Sequence, residues 1–129
     1  MAAETPTRLR FPREAHIKLG RDFRRTRQEG ERLANGCLIL NWRRLPAGAI
    51  SRIGLVVSGK VGNAVLRSRV RRLLREAFRL HQYDLSQAAD LVLVARPSIV
   101  GKAFADVERD FLTALRRARL FKTVGGLKP

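Results

Sequence analysis

Between Ala64 and His81 the apolar positions return every three or four residues. On a wheel of about 100° per residue, Leu66, Val70, Leu73, Leu74, Ala77 and His81 share a narrow arc, with Phe78 at its edge. The spacing predicts a helix over 64–81 that lays this arc on a core. A second helical pattern, from Phe104 to Leu120, aligns Phe104, Val107, Phe111, Leu115 and Ala118 along one side. "LGRDFRRTRQEG" (Leu19–Gly30) predicts a short first helix, with Gly30 as a natural stop. The segments between read as strands: "GCLILNW" (Gly36–Trp42), "RIGLVVS" (Arg52–Ser58, with Ile53, Leu55 and Val57 on one face) and "ADLVLVARP" (Ala89–Pro97). The last is almost continuously apolar, which predicts a central strand. Pro46 and Gly48 mark a loop, and Glu31–Ala34 leaves room for one more short strand.

The order α-β-β-α-β-α, or α-β-β-β-α-β-α with the extra strand, predicts a mixed α/β (α+β) two-layer sandwich of one sheet and packed helices. At 129 residues the chain suits one domain, and 45% hydrophobic residues fit a globular one. Residues 1–18, with Pro6 and Pro12, read as a basic, partly extended arm; 19–121 form the domain; 122–129 are a loose tail. No internal repeat is visible.

Charge changes the picture. Lys plus Arg number 27 against 11 Asp plus Glu, a net +16. Self-repulsion of that size calls for a polyanionic partner, with nucleic acid ahead of an anionic membrane. The charge is also segregated: from Gly36 to Tyr83 ten basic residues stand against one acid, Glu76. Opposite the apolar arc of the 64–81 helix lie Arg71, Arg72, Arg75, Arg79 and Ser68, flanked by Arg67 and Arg69. A merely solvated face mixes signs, whereas Arg67, Arg71 and Arg75 repeat at i, i+4 with no acid between them. That costs stability unless a polyanion neutralises it. Arginine's planar fork suits phosphate, and the segregation suits a nucleic-acid-binding face. Gly59–Asn63 leads into this helix, with Asn63 a candidate N-cap and a phosphate favoured near the free N–H groups.

No run of about 18 apolar residues predicts a membrane span, and MAAETPTRLR lacks the apolar core of a signal peptide. The single cysteine, Cys37, excludes an internal disulfide and is expected to be buried. These features predict a cytoplasmic protein. His16 and His81 are far apart, and His81 falls on the apolar arc, as a core residue rather than a ligand. Asp22 opens a helix, where dipole complementarity explains it. No metal-ligand cluster, P-loop, nucleophile motif or paired carboxylate suggests catalysis by this chain, and nothing points to a small-molecule substrate.

"SGKVGNAVLRSRVRRLLREAFR" resembles the signature of the protein subunit of bacterial ribonuclease P: a basic residue, Gly-Asn-Ala-Val, Arg-Asn-Arg, then a basic helix. "DFRRTRQEG", "RIGLVVS" and "DLVLVARP" resemble the family's first helix and the strands before and after the signature, so the likeness runs from about Leu19 to Leu120. The resemblance implies a ribosomal protein S5 domain 2-like fold with a left-handed β-α-β crossover, an exception to the usual hand. It implies a partner, the catalytic ribonuclease P RNA, which with Mg²⁺ removes the 5′ leader of precursor tRNA. The protein binds no cofactor itself in that scheme. By similarity, Lys60, Asn63, Arg67, Ser68, Arg69, Arg71, Arg72 and Arg75 meet the catalytic RNA. Phe23, Arg27, Leu40, Trp42 and Arg79 belong to a cleft for the single-stranded leader, where stacking and phosphate contact suit a loosely read strand. The chain departs from the family at Ser68, where Asn is usual, at Arg27, where a second aromatic is frequent, and at Leu40, where an aromatic is common. Two further readings compete: a ribosomal-type RNA-binding protein, and a DNA-binding protein with the arginine helix in a major groove. The helix lacks the base-reading Asn and Gln set that the latter would use.

Overall fold

The computed structural model describes residues 16–17 and 20–122; most of the expected arm and tail lie outside these residues. Helix α1 (Gly20–Glu29) leads into β1 (Glu31–Asn35), β2 (Leu38–Arg44) and β3 (Arg52–Val56). Helix α2 (Ala64–His81), β4 (Ala89–Ala95) and α3 (Phe104–Arg117) follow, with short 3-10 turns at Gln82–Asp84 and Pro97–Ile99. The bounds of α2 match the helix expected from periodicity, and the additional strand is β1.

Several ends differ from expectation: β2 runs on past Trp42 to Arg44, and β3 stops at Val56, short of Ser58. The strand expected from Gly36 starts at Leu38, because Gly36 (φ +58°) and Cys37 form the β1–β2 turn. The run through Pro97 stops at Ala95, and Pro97 opens a 3-10 turn. The last helix ends at Arg117, closed by Arg119 in the left-handed region (φ +60°) and by the Leu120 amide donating to the Leu115 carbonyl at 2.8 Å.

The sheet order is β1-β2-β4-β3, so β4 is interior as its apolar run predicts. The pairs β1–β2 and β2–β4 are antiparallel; β3 and β4 are parallel, joined by the crossover through α2. Side chains alternate across a sheet. Leu38, Leu40 and Trp42 on β2 therefore share a face with Leu91 and Leu93 on β4 and with Ile53 on β3. This face meets Val70, Leu74, Ala77 and Phe78 of α2 and Val107, Phe111 and Leu115 of α3, forming the main core. The other face carries Asn41 and Arg43, Asp90 and Val92, Arg52 and Gly54, and α1 lies against it. His81 sits on the core side of α2 as a half-buried bridge, its ring nitrogens 3.2 Å from Asp84 and 2.7 Å from Glu108.

Cys37 is buried, and its backbone N–H donates to Asp110 Oδ2 at 3.0 Å. A Cβ on Gly36 would stand 2.1 Å from the same oxygen, so this turn requires glycine. Burial, reinforced by Asp110, pushes the Cys37 thiol up from 9.0 to about 12. The unfolded chain releases that proton near 9, so this contribution to stability is present below pH 9 and is lost as pH rises towards 12. Iodoacetamide at pH 8 is expected to leave native Cys37 unmodified and to alkylate it in 6 M guanidinium chloride; rapid native labelling would contradict the burial.

Candidate nucleic-acid interface

Helix α2 begins at a chemically defined point. Asn63 is its N-cap: Oδ1 accepts from the Leu66 backbone N–H at 3.0 Å, leaving the amide nitrogen for other contacts. Preceding turns, with Val61 N–H donating to Ser58 O and Gly62 N–H to Gly59 O, hold Lys60 out in solvent. No acid occupies the first turn of α2, so its positive end is unneutralised there. Ser68 and Arg72 are exposed, whereas Arg67, Arg69, Arg71 and Arg75 are half-buried. Arg67 Nε is buried without a hydrogen-bond partner.

Arg71 and Arg75 form one wall of a groove of about 290 Å³ at the β3 edge of the sheet. Its other lining comes from His16, Ile17 and Phe23, with β3 between. Ile17 is tied in by its N–H, which donates to the Ile53 carbonyl at 3.0 Å. Gly54 admits Phe23: a Cβ at position 54 would stand 2.7 Å from the ring's Cε2. A second hollow of similar size, lined by Phe23, Arg24, Arg27 and Gln28, continues the surface along α1. The aromatic ring thus sits between two sets of cations, an arrangement suited to stacking a base while holding its phosphates.

A buried ion cluster braces this face. Asp90, 0% exposed, accepts two bonds from Arg52 (2.8 and 2.6 Å) and one from Arg43 (3.2 Å). Arg52 also reaches Asp22 at 3.4 Å, linking β3 to α1. The hydrogen bonds to Asp90 outweigh burial and raise the Arg52 pKa above its ordinary value. Asp22 therefore pairs with a strand as well as opening its helix. Among the described residues no group of three or more His, Cys, Asp or Glu could hold a metal ion, and no helix is long and apolar enough to cross a membrane.

A family profile described as ribonuclease P matches residues 11–119. The chain belongs to the ribonuclease P protein family. It is 36% identical over 109 residues to the ribonuclease P protein component of Clostridium acetobutylicum, covering 84% of this chain and 92% of that one. The protein component of Brevibacillus brevis is 34% identical over 110 residues, covering 85% and 87%. Among solved structures, the Staphylococcus aureus RNase P protein superposes with a TM-score of 0.75 at 29% identity, over 84% of this chain and 98% of that one. The Thermotoga maritima RNase P protein gives 0.70 at 30% identity, over 79% and 96%. The α+β fold expected from the sequence is the fold of these ribonuclease P proteins.

The structure gathers some of the expected site residues and separates others. Lys60 and Asn63 lie in the turn between β3 and α2, and Arg67, Ser68, Arg69, Arg71, Arg72 and Arg75 all lie on α2, Arg69 and Arg71 on different flanks of it. Phe23 and Arg27 line one hollow together. Leu40 and Trp42 are 0% and 4% exposed and lie on the core face of the sheet, opposite Phe23. Strand alternation places them there, so the expectation that they join Phe23 in a cleft is corrected: Asn41 and Arg43 are the β2 residues on the α1 side. Arg79 lies on the far flank of α2, bound to Glu76 at 2.9 and 2.5 Å. Sequence reasoning missed Gly54, His16 and Ile17. A glycine in mid-strand, marking a close approach, is the one signal that was available.

Proposed function

We propose that the chain is the protein subunit of a bacterial ribonuclease P. In this reading the α2 surface from Lys60 to Arg75 binds the catalytic RNA, and the groove at Phe23 and Arg27 holds the 5′ leader of precursor tRNA. The RNA carries the chemistry with Mg²⁺; the chain contributes binding, positioning and charge neutralisation, and works in the cytoplasm, where precursor tRNA is made. The observation that carries it is the sharing of one groove by Phe23 and by Arg71 and Arg75 of the signature helix. A leader lying against Phe23 would therefore run directly beside the RNA-binding helix. A ribosomal-type RNA-binding protein would share the charge but has no need of a sequence-tolerant stacking groove next to it.

Reconstitution tests the reading. Purified protein added to a bacterial ribonuclease P RNA and precursor tRNA at low Mg²⁺ is expected to accelerate leader removal over RNA alone, because the arginines replace part of the cation screening. Cleavage no better than with RNA alone, across a range of protein concentrations, would overturn it.

A further inference from the structure

A second groove opens on the other flank of α2, facing the start of α3, with a volume of about 530 Å³. Leu73 and Phe104 supply apolar surface there, each only half-buried against the core. Arg69, Arg72 and Arg75 stand around it. The single acid at the groove, Glu76, is occupied by Arg79, whose hydrogen bonds hold its carboxyl below the usual range. Arg69 is fixed in place by donating from Nη2 to the Lys102 carbonyl at 3.0 Å. Three cations thus surround an apolar floor, with the nearby acid already neutralised.

That pairing of chemistries selects an occupant. An apolar peptide has no use for the arginines, and a bare phosphate has no use for Leu73 and Phe104. Duplex RNA presents phosphates and sugars with its bases stacked away, so it too leaves the floor unused. An unstacked nucleotide carries both a flat apolar base and flanking phosphates. We propose that this groove is a subsite for one unpaired nucleotide of the ribonuclease P RNA, its base on Leu73 and Phe104 and its phosphates on Arg69, Arg72 and Arg75. The inference rests on the reading that α2 meets that RNA. It assigns the nucleotide to the catalytic RNA and not to the leader, because Phe23 lies on the opposite flank of the helix.

Phe104→Leu removes the ring and keeps an apolar side chain. Its affinity for ribonuclease P RNA, measured without tRNA over a salt series, is expected to fall roughly five- to tenfold, within the range of one lost base stack. The salt slope should stay that of the parent, because no charge is lost; Arg72→Ala should instead lower the slope by about 0.7 to 0.9. Precursor tRNA affinity of the holoenzyme, assembled at saturating protein, should not change. By NMR, AMP should shift the Leu73 methyl and Phe104 ring signals of the parent protein, and ribose 5-phosphate should not. A parent chain that fails to bind the RNA would sink the functional reading itself. Parent-like binding by folded Phe104→Leu, a loss confined to precursor tRNA, or equal shifts from AMP and ribose 5-phosphate would each overturn the subsite alone. Should Phe104→Leu fail to fold, the AMP titration of the parent protein decides.

Discussion

Asp90→Ala is expected to destabilise the fold by about 3–5 kcal/mol, lowering Tm on the order of 10–20 °C. The carboxylate is fully buried and answers Arg52 twice and Arg43 once. Without it, two half-buried guanidinium groups face each other across the α1 side of the sheet with only Asp22, 3.4 Å from Arg52, left between them. The cost is the uncompensated charge and not the worth of a salt bridge as such, since buried pairs repay little more than their desolvation. The double variant Asp90→Val with Arg52→Met should therefore recover part of the loss, which a simple sum of contacts would not allow. Thermal and denaturant unfolding of both variants is the measurement. A loss under 1 kcal/mol for Asp90→Ala would show that water reaches the cluster and that it does not brace the face.

This cluster shows how far a sequence carries. Asp90 interrupts the apolar run ADLVLVA, and an acid inside a central strand must find a cation. Which cation depends on register, and register is a tertiary property: only the pairings Arg43↔Asp90 and Arg52↔Asp90 bring the three together. Helix α2 was legible to the residue because a strong 3.6-residue pattern begins at a capping Asn63, both of which are local signals. Strand β1, ERLAN, is a polar edge with little burial, so its sequence could only leave room for it. The groove at Phe23 was half legible. Phe23 and Arg27 lie one turn apart on one helix, and local spacing suffices to join them. Leu40 was placed beside them by resemblance, against the alternation L-I-L-N-W-R-R that puts Leu38, Leu40 and Trp42 on one face and the polar Asn41 and Arg43 on the other. The alternation names two faces without saying which helix covers which. Gly54 settles that, since the room left by its missing side chain is filled by the Phe23 ring.

Arg71→Ala with Arg75→Ala is expected to weaken ribonuclease P RNA binding between about 25- and 60-fold at 0.1 M salt. The estimate follows if each arginine neutralises one phosphate, because each lost contact removes roughly 0.7 to 0.9 from the slope of log K against log[salt]. The double variant should therefore also show a slope shallower by about 1.4 to 1.8, and the two curves should converge towards 1 M salt. The fold should survive. Both side chains lie off the core arc, and neither forms an ion pair within the described residues, so their loss even relieves the i, i+4 repulsion along α2. A slightly raised Tm with a sharply weaker affinity would be the signature of arginines kept for a partner at the expense of the free protein. Arg75 adds a distinction between the two. It lines both grooves on either flank of α2, whereas Arg71 lines only the one at Phe23. Arg75→Ala alone should thus weaken the AMP-induced shifts at Leu73 and Phe104, which Arg71→Ala should leave unchanged. A salt slope unchanged in the double variant would mean that this face of α2 is not where the phosphates bind.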